Sequence, residues 1–217
     1  MKTKTLSLLS LGIVAVLMTQ NSYATITTYT DRTTFINQLQ AGYFIDDFSN
    51  LGFGSLQTSS TVRSGNGFSV TYSAPPEGLY SVTNAISTNT AANNLVATFG
   101  SGIYAAGGYF YFSDINGNPE SFPGFNVSAF ANNGIDPNAI LSSTASQNNF
   151  FGWISDTPLL SLAVTGGGTT PNRWNTLDDL IVGIGSPTNN VPEPNIIALL
   201  SLAVISVFVR RKLLQPI

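Results

Sequence analysis

Gly67-Phe68-Ser69-Val70-Thr71-Tyr72 places Phe68, Val70 and Tyr72 at every second position with polar residues between them. Successive side chains of an extended strand point to opposite faces, so this spacing predicts a strand with one face buried. Phe125 with Val127, and Leu160 with Leu162 and Val164, repeat the pattern. Working outward, short runs rich in aromatic and β-branched residues predict strands over Tyr43–Phe48, Gly67–Tyr72, Leu79–Thr83, Leu95–Phe99, Ile103–Ser113, Phe125–Phe130, Phe150–Ser155, Leu159–Thr165 and Asp179–Ile184. Gly, Asn, Ser and Pro clusters separate them. Many short alternating strands with frequent turn signals predict an all-β, antiparallel β-sandwich. Asn116-Gly117 predicts a type I′ hairpin turn, whose two central residues both need positive φ. Gly107-Gly108 inside a strand predicts a bulge or a close backbone approach. One short helix is expected over Thr30–Leu39, capped by Thr30 or Asp31, with Phe35 and Leu39 on one face.

Charge narrows the partners. The 217-residue chain has a formal net charge of −3, but its basic residues crowd at the ends: Lys2 and Lys4 in front, Arg210, Arg211 and Lys212 behind. Between Thr25 and Val191 three arginines face ten acids, a net charge near −7. Nucleic-acid binding requires a basic surface that displaces counterions, so it is excluded as a function. The same charge opposes adhesion to anionic lipid. It suits solubility, neutral glycans or divalent cations.

Both ends read as processing segments. Lys2 and Lys4, the apolar stretch Leu6–Met18 and the small residues of Ser22-Tyr23-Ala24 have the three-part layout of a secretory signal peptide, with cleavage expected after Ala24. An uncleaved anchor is the alternative, and the stretch is short for one. At the other end Val191-Pro192-Glu193-Pro194-Asn195 precedes the apolar run Ile196–Val209 and then Arg210-Arg211-Lys212. That run has 14 residues, short against the roughly 20 that cross a bilayer core. The basic residues behind it favour a cytoplasmic tail, and the two prolines stop the helix from starting earlier. The expected organisation is a signal peptide over 1–24, a β-sandwich over 25–187, a linker over 188–195, and a transmembrane helix with a basic tail over 196–217.

The C-terminal arrangement resembles the PEP-CTERM sorting signal, with Pro192-Glu193-Pro194, the hydrophobic run and the Arg210-Arg211-Lys212 cluster in that order. The resemblance implies an exported Gram-negative protein, anchored in the inner membrane as a precursor. Its partner would be exosortase, a membrane cysteine transpeptidase, and its destination the cell surface or the extracellular matrix. Three further blocks resemble the β-rich ectodomains of such proteins: Gly107-Gly108-Tyr109-Phe110 through Asp114 and Gly117, Phe150-Phe151-Gly152-Trp153-Ile154-Ser155-Asp156-Thr157-Pro158-Leu159, and Leu177-Asp178-Asp179-Leu180-Ile181-Val182-Gly183. The last is similar to the closing strand of jelly-roll carbohydrate-binding modules. It implies a jelly-roll-like sandwich.

Chemistry is restricted by what is missing. The chain has neither histidine nor cysteine, which removes Ser-His-Asp and Cys-His nucleophiles and the usual zinc sites. Carboxylates remain. A glycosidase needs two acids across a cleft, and Asp46-Asp47 and Asp178-Asp179 are the candidates, although adjacent strand residues face opposite sides. Surface acids without catalysis are the preferred reading, and no catalytic residue is assigned. By the jelly-roll resemblance, one acid from each of these pairs would hold a structural calcium ion. Asp114-Ile115-Asn116-Gly117-Asn118-Pro119-Glu120 spaces oxygen ligands like a calcium loop, yet a hairpin turn already explains it. Trp153 is expected in the core. Trp174, after a Gly-rich loop, is the candidate ring for stacking a sugar, although a loop ring packed onto the sandwich is the preferred reading. The favoured reading is a non-catalytic surface or matrix protein linked to exopolysaccharide or envelope organisation. A calcium-stabilised carbohydrate-binding module and a carboxylate-dependent glycan hydrolase are the alternatives.

Overall fold

The computed structural model describes residues 25–56, 58–82, 84–91, 93–120, 125–131, 138–141, 149–166 and 173–186, with backbone alone for Ser55, 125–131 and 138–141. The expected signal peptide, linker, sorting motif and C-terminal apolar run lie outside these residues. Ala24–Ser186 clusters as one compact unit.

The nine-stranded antiparallel sheet is built from β1 (Ile26–Tyr29), β2 (Phe44–Asp46), β3 (Gly54–Ser55), β6 (Leu79–Val82), β7 (Ala85–Thr88), β9 (Ala105–Ser113), β10 (Pro119–Glu120), β13 (Phe150–Ser155) and β15 (Trp174–Gly183). Its order is β1-β13-β9-β15-β7-β6-β3, with β10 on β9 and β2 on β15. The six-stranded antiparallel sheet contains β4 (Ser60–Gly65), β5 (Phe68–Ser73), β8 (Leu95–Phe99), β11 (Phe125–Ala131), β12 (Asn138–Leu141) and β14 (Leu159–Thr165), in the order β12-β11-β14-β8-β5-β4. The one described helix, α1 (Arg32–Ile36), is shorter than the Thr30–Leu39 stretch expected. The all-β reading is therefore correct.

Both sheets supply one core. Val70, Tyr72, Leu95, Ala97, Leu162 and Val164 from the six-stranded sheet pack with Leu79, Ile86, Phe110, Trp153, Leu177 and Val182 from the nine-stranded sheet. A second cluster of Phe35, Leu39, Ala105, Phe150 and Ile181 joins α1 to the nine-stranded sheet. Asp31 caps α1 by accepting the Thr34 N–H at 2.7 Å, and Phe35 and Leu39 are both buried, as their spacing predicts. Strand β9 is therefore buried along almost its whole length, and it reads as a near-continuous apolar run.

A buried ionic clasp joins the sheets. Asp46 ends β2 and is 1% exposed. Its carboxylate accepts from Arg63 Nη2 at 2.7 Å and Nε at 3.1 Å, and from the Tyr72 hydroxyl at 3.0 Å. Arg63 lies on β4 and Tyr72 on β5, so the acid of one sheet holds two side chains of the other. Burial, then the carboxylate beside it, raises the Tyr72 phenol well above its ordinary range.

The turns correct one expectation. Asn66-Gly67 joins β4 to β5 with φ of 52° and 85°, the paired positive angles of a type I′ turn. At Asn116-Gly117 only Gly117 is left-handed, with φ 84°. Gly117 N–H donates to the Asp114 carbonyl at 3.0 Å, and Asp114 N–H donates to the Asn118 carbonyl at 2.8 Å. The hairpin is present, but as a longer loop ending in one left-handed glycine. Its cause is Asp114, whose carboxylate takes the N–H groups of Asn116 and Asn118 at 2.8 Å each. Asn118 and then Asn116 hold that carboxyl below its ordinary pKa.

Candidate functional site

Trp174 opens β15 opposite Ser113 of β9, so it belongs to a strand rather than to the preceding loop. Its ring is fixed by the indole N–H, which donates to the Asn89 carbonyl at 3.3 Å. Strand alternation puts Trp174 and Thr176 on the face away from Leu177, which is in the core. By the same parity Ser87, Ser113, Tyr80 and Val82 share that outer face. Trp174, Tyr80, Val82, Ser87, Ser113 and the loop residues Asp114 and Ile115 line a cavity of about 190 Å³ there. It is smaller than the roughly 300–1,000 Å³ of sites for drug-sized ligands.

Two of the lining residues, Ser87 and Ser113, belong to a buried hydroxyl network that continues to Thr176. Thr176 Oγ1 lies 2.8 Å from Ser113 Oγ and 3.0 Å from Ser87 Oγ. Ser87 Oγ also reaches the Asn175 carbonyl at 3.1 Å, and Thr176 Oγ1 reaches the Trp174 carbonyl at 3.2 Å. The lip is mixed: Ile115, 70% exposed, stands beside Asp114. Outside the lining, Phe53, 65% exposed, packs edge-on against Tyr80 at 5.6 Å between centroids. Sequence reasoning singled out Trp174 but missed Tyr80, Ser87 and Ser113. They come from three strands whose register only the folded sheet shows.

The two acid pairs converge only in part. Asp46 is committed to Arg63 and Tyr72, as described above. Asp47 caps its own turn, accepting from Ser49 N–H at 3.1 Å and Ser49 hydroxyl at 2.9 Å, and the Ser49 N–H lowers its pKa first. Asp178 and Asp179 lie at a register shift between β15 and β9, where Asp179 and Leu180 together oppose Gly108. Asp179 is left-handed, with φ 48°. A Cβ on Gly108 would stand 2.9 Å from Leu177 Cδ1 and 3.1 Å from the Asp178 carbonyl oxygen. The Gly107-Gly108 signal thus marks both a bulge in the partner strand and a close backbone approach. At the bulge β15 also exchanges one neighbour for another: β7 pairs with Thr176–Asp178, β2 with Leu180–Val182. Asp179 pairs with Arg32 of α1 at 3.7 Å. Among the described residues no three acids gather as a metal-binding group.

The bulge makes Asp178 electrostatically costly. Its carboxyl is pushed up to about 7, first by burial and then by the neighbouring Asp179 and Asp47 carboxylates. An unfolded aspartate titrates near pH ~3.9. Between about pH 4 and pH 7 the folded protein keeps a proton that the unfolded chain has released, so stability falls as pH rises through that window. Asp178→Asn is expected to raise Tm at about pH 8 and leave it unchanged near pH 4. Allowing for solvent screening of this partly exposed group, the gain is about 1–2 kcal/mol, or about 2–8 °C. Equal melting shifts at both pH values, read by calorimetry, would refute the assignment.

Among the described residues no helix is long and apolar enough to cross a membrane. No curated protein and no solved structure matches the chain. Residues 190–212 match the family model of the PEP-CTERM protein-sorting motif. They cover Pro192-Glu193-Pro194, the apolar run and Arg210-Arg211-Lys212. The motif implies an exported precursor, anchored at a membrane and processed by exosortase. By its C-terminal motif, this chain is a PEP-CTERM domain-containing protein.

Proposed function

We propose that this chain is a non-catalytic protein of the Gram-negative cell surface or extracellular matrix, released there through exosortase, and that its β-rich part, a jelly-roll-like sandwich, serves exopolysaccharide or envelope organisation. The sorting motif at residues 190–212 carries the reading. A tripeptide rich in proline, an apolar run and a basic stop are three features that a plain anchor does not need together. The absence of histidine and cysteine supports a non-catalytic role, and so does the commitment of Asp46 to Arg63. The near −7 charge of residues 25–191 supports a neutral rather than an anionic polymer as neighbour.

Expression of the full chain in a Gram-negative host, with and without an active exosortase, tests this. The tail should be removed only when the enzyme is present. Replacing Pro192, Glu193 and Pro194 by alanine should leave the tail attached and the protein in the inner-membrane fraction. Tail removal that ignores both the enzyme and the tripeptide would defeat the reading.

A further inference from the structure

We propose that the Trp174 cavity is a binding site for one uncharged, hydroxyl-rich ring, a neutral pyranose at the end or edge of a glycan. The site deepens the polysaccharide part of the function proposed above and rests on it only for its biological setting.

Four observations select this ligand class. First, the walls are mixed. Trp174, Tyr80, Val82 and Ile115 offer apolar surface, while Ser87, Thr88, Asn89 and Ser113 offer hydroxyl and amide groups. A pyranose has the matching character, with a C–H face that packs on an aromatic ring and an equatorial rim of hydroxyls. Second, among the described residues no lysine or arginine lines the cavity, and the one ionised lining group is Asp114. A phosphate or carboxylate ligand would enter without a counter-charge and beside a carboxylate. Third, the indole N–H donates to the Asn89 carbonyl, so the ring's orientation is set before any ligand arrives. Fourth, the hydroxyl network to which the lining residues Ser87 and Ser113 belong is short of protons. Ser87, Ser113 and Thr176 hold three hydroxyl hydrogens between them. They take part in four close oxygen contacts, two of which end on carbonyls. Oxygen lone pairs are therefore left over, and the guest that suits them donates O–H groups. A volume of about 190 Å³ has room for one ring and not for a chain running through it.

The test uses the purified full chain in a detergent without a sugar headgroup. The probes are glucose, galactose, mannose and N-acetylglucosamine, their short β-linked oligomers, and glucuronic acid. Saturation-transfer NMR and tryptophan fluorescence report binding. At least one neutral sugar should bind, and glucuronic acid should bind more weakly than its neutral counterpart. Trp174→Ala should weaken binding about tenfold or more. Ser113→Ala should weaken it about fivefold. Ile115 is so exposed that Ile115→Arg leaves the fold intact, so it guards against the case where Trp174→Ala unfolds the protein. It should block the mouth and abolish binding with an unchanged melting temperature. The proposal falls if no neutral sugar binds, if glucuronic acid binds better, or if both Trp174→Ala and Ile115→Arg bind as the wild type does. None of these results bears on removal of the C-terminal tail, so the sorting function stands or falls separately.

Discussion

Arg63→Met should be among the most damaging single changes in this protein, at about 3–5 kcal/mol, because it strands a buried carboxylate. Asp46 is 1% exposed, and without the guanidinium its partners among the described residues are the Tyr72 hydroxyl at 3.0 Å and the Phe48 N–H at 3.4 Å. Methionine fills much of the space but carries neither charge nor donors. The reciprocal change, Asp46→Asn, should cost less. The Arg63 side chain is 17% exposed and lies at an edge strand, so its head can turn toward water. The asymmetry between the two is the distinguishing result. Replacing both together, Asp46→Leu with Arg63→Met, should recover part of the loss, since an apolar pair needs no desolvated charge but leaves the buried Tyr72 hydroxyl without its acceptor. Urea melts of the four proteins check this. If Asp46→Asn proved as costly as Arg63→Met, the clasp would not be the buried carboxylate site described.

The two tryptophans should respond oppositely to truncation. Trp153→Ala is expected to cost about 3–5 kcal/mol, which lowers Tm by about 6–20 °C. Trp153 is fully buried on β13, packed against Phe110 and Phe151 with ring centroids 5.9 and 4.7 Å away. Removing it opens a cavity between the sheets that closely packed strands cannot refill. Trp174 lies half-buried on the outer face, so Trp174→Ala should cost much less stability. Emission from the Trp174→Ala protein, which retains Trp153, should be blue-shifted relative to that from Trp153→Ala. Comparable melting losses for the two variants would show that Trp174 is core and that its cavity is a packing defect.

Much of the fold is written in the apolar alternation. The predicted strands at Leu95–Phe99, Phe150–Ser155 and Leu159–Thr165 match the observed bounds, because each has enough large apolar residues to declare its face. Strands without that signal were not legible. In β4 the large apolar residue Val62 points to solvent at 66% exposure, as an edge strand permits. Strand β7, Ala-Ile-Ser-Thr, is too short and too polar to stand out, although all four residues are buried. The last strand begins at Trp174 rather than Asp179, because Asn175 and Thr176 are buried by hydrogen bonds and not by apolar character. The rule that neighbouring strand residues face opposite ways also fails at Asp178-Asp179. The left-handed Asp179 interrupts the pleat; burial comes first in raising both Asp178 and Tyr109, but Asp179 adds to the rise of Asp178 and both acids add to that of Tyr109.

The candidate site divides in the same manner. The sorting motif is contiguous, so its resemblance to the PEP-CTERM signal could be seen directly in residues 192–212. The cavity is not contiguous. Its rings and hydroxyls come from Tyr80, Ser87, Ser113 and Trp174, brought together by the β6–β7 and β9–β15 pairings. Pairing register is a property of the whole sheet, and no local pattern encodes it.

Intact-mass analysis of the protein recovered from the surface and medium of its native cells tests the account most directly. A polypeptide beginning at Thr25 and ending close to the Pro192-Glu193-Pro194 tripeptide is the predicted result. A cytosolic molecule that still carries both Met1 and Ile217 would contradict it.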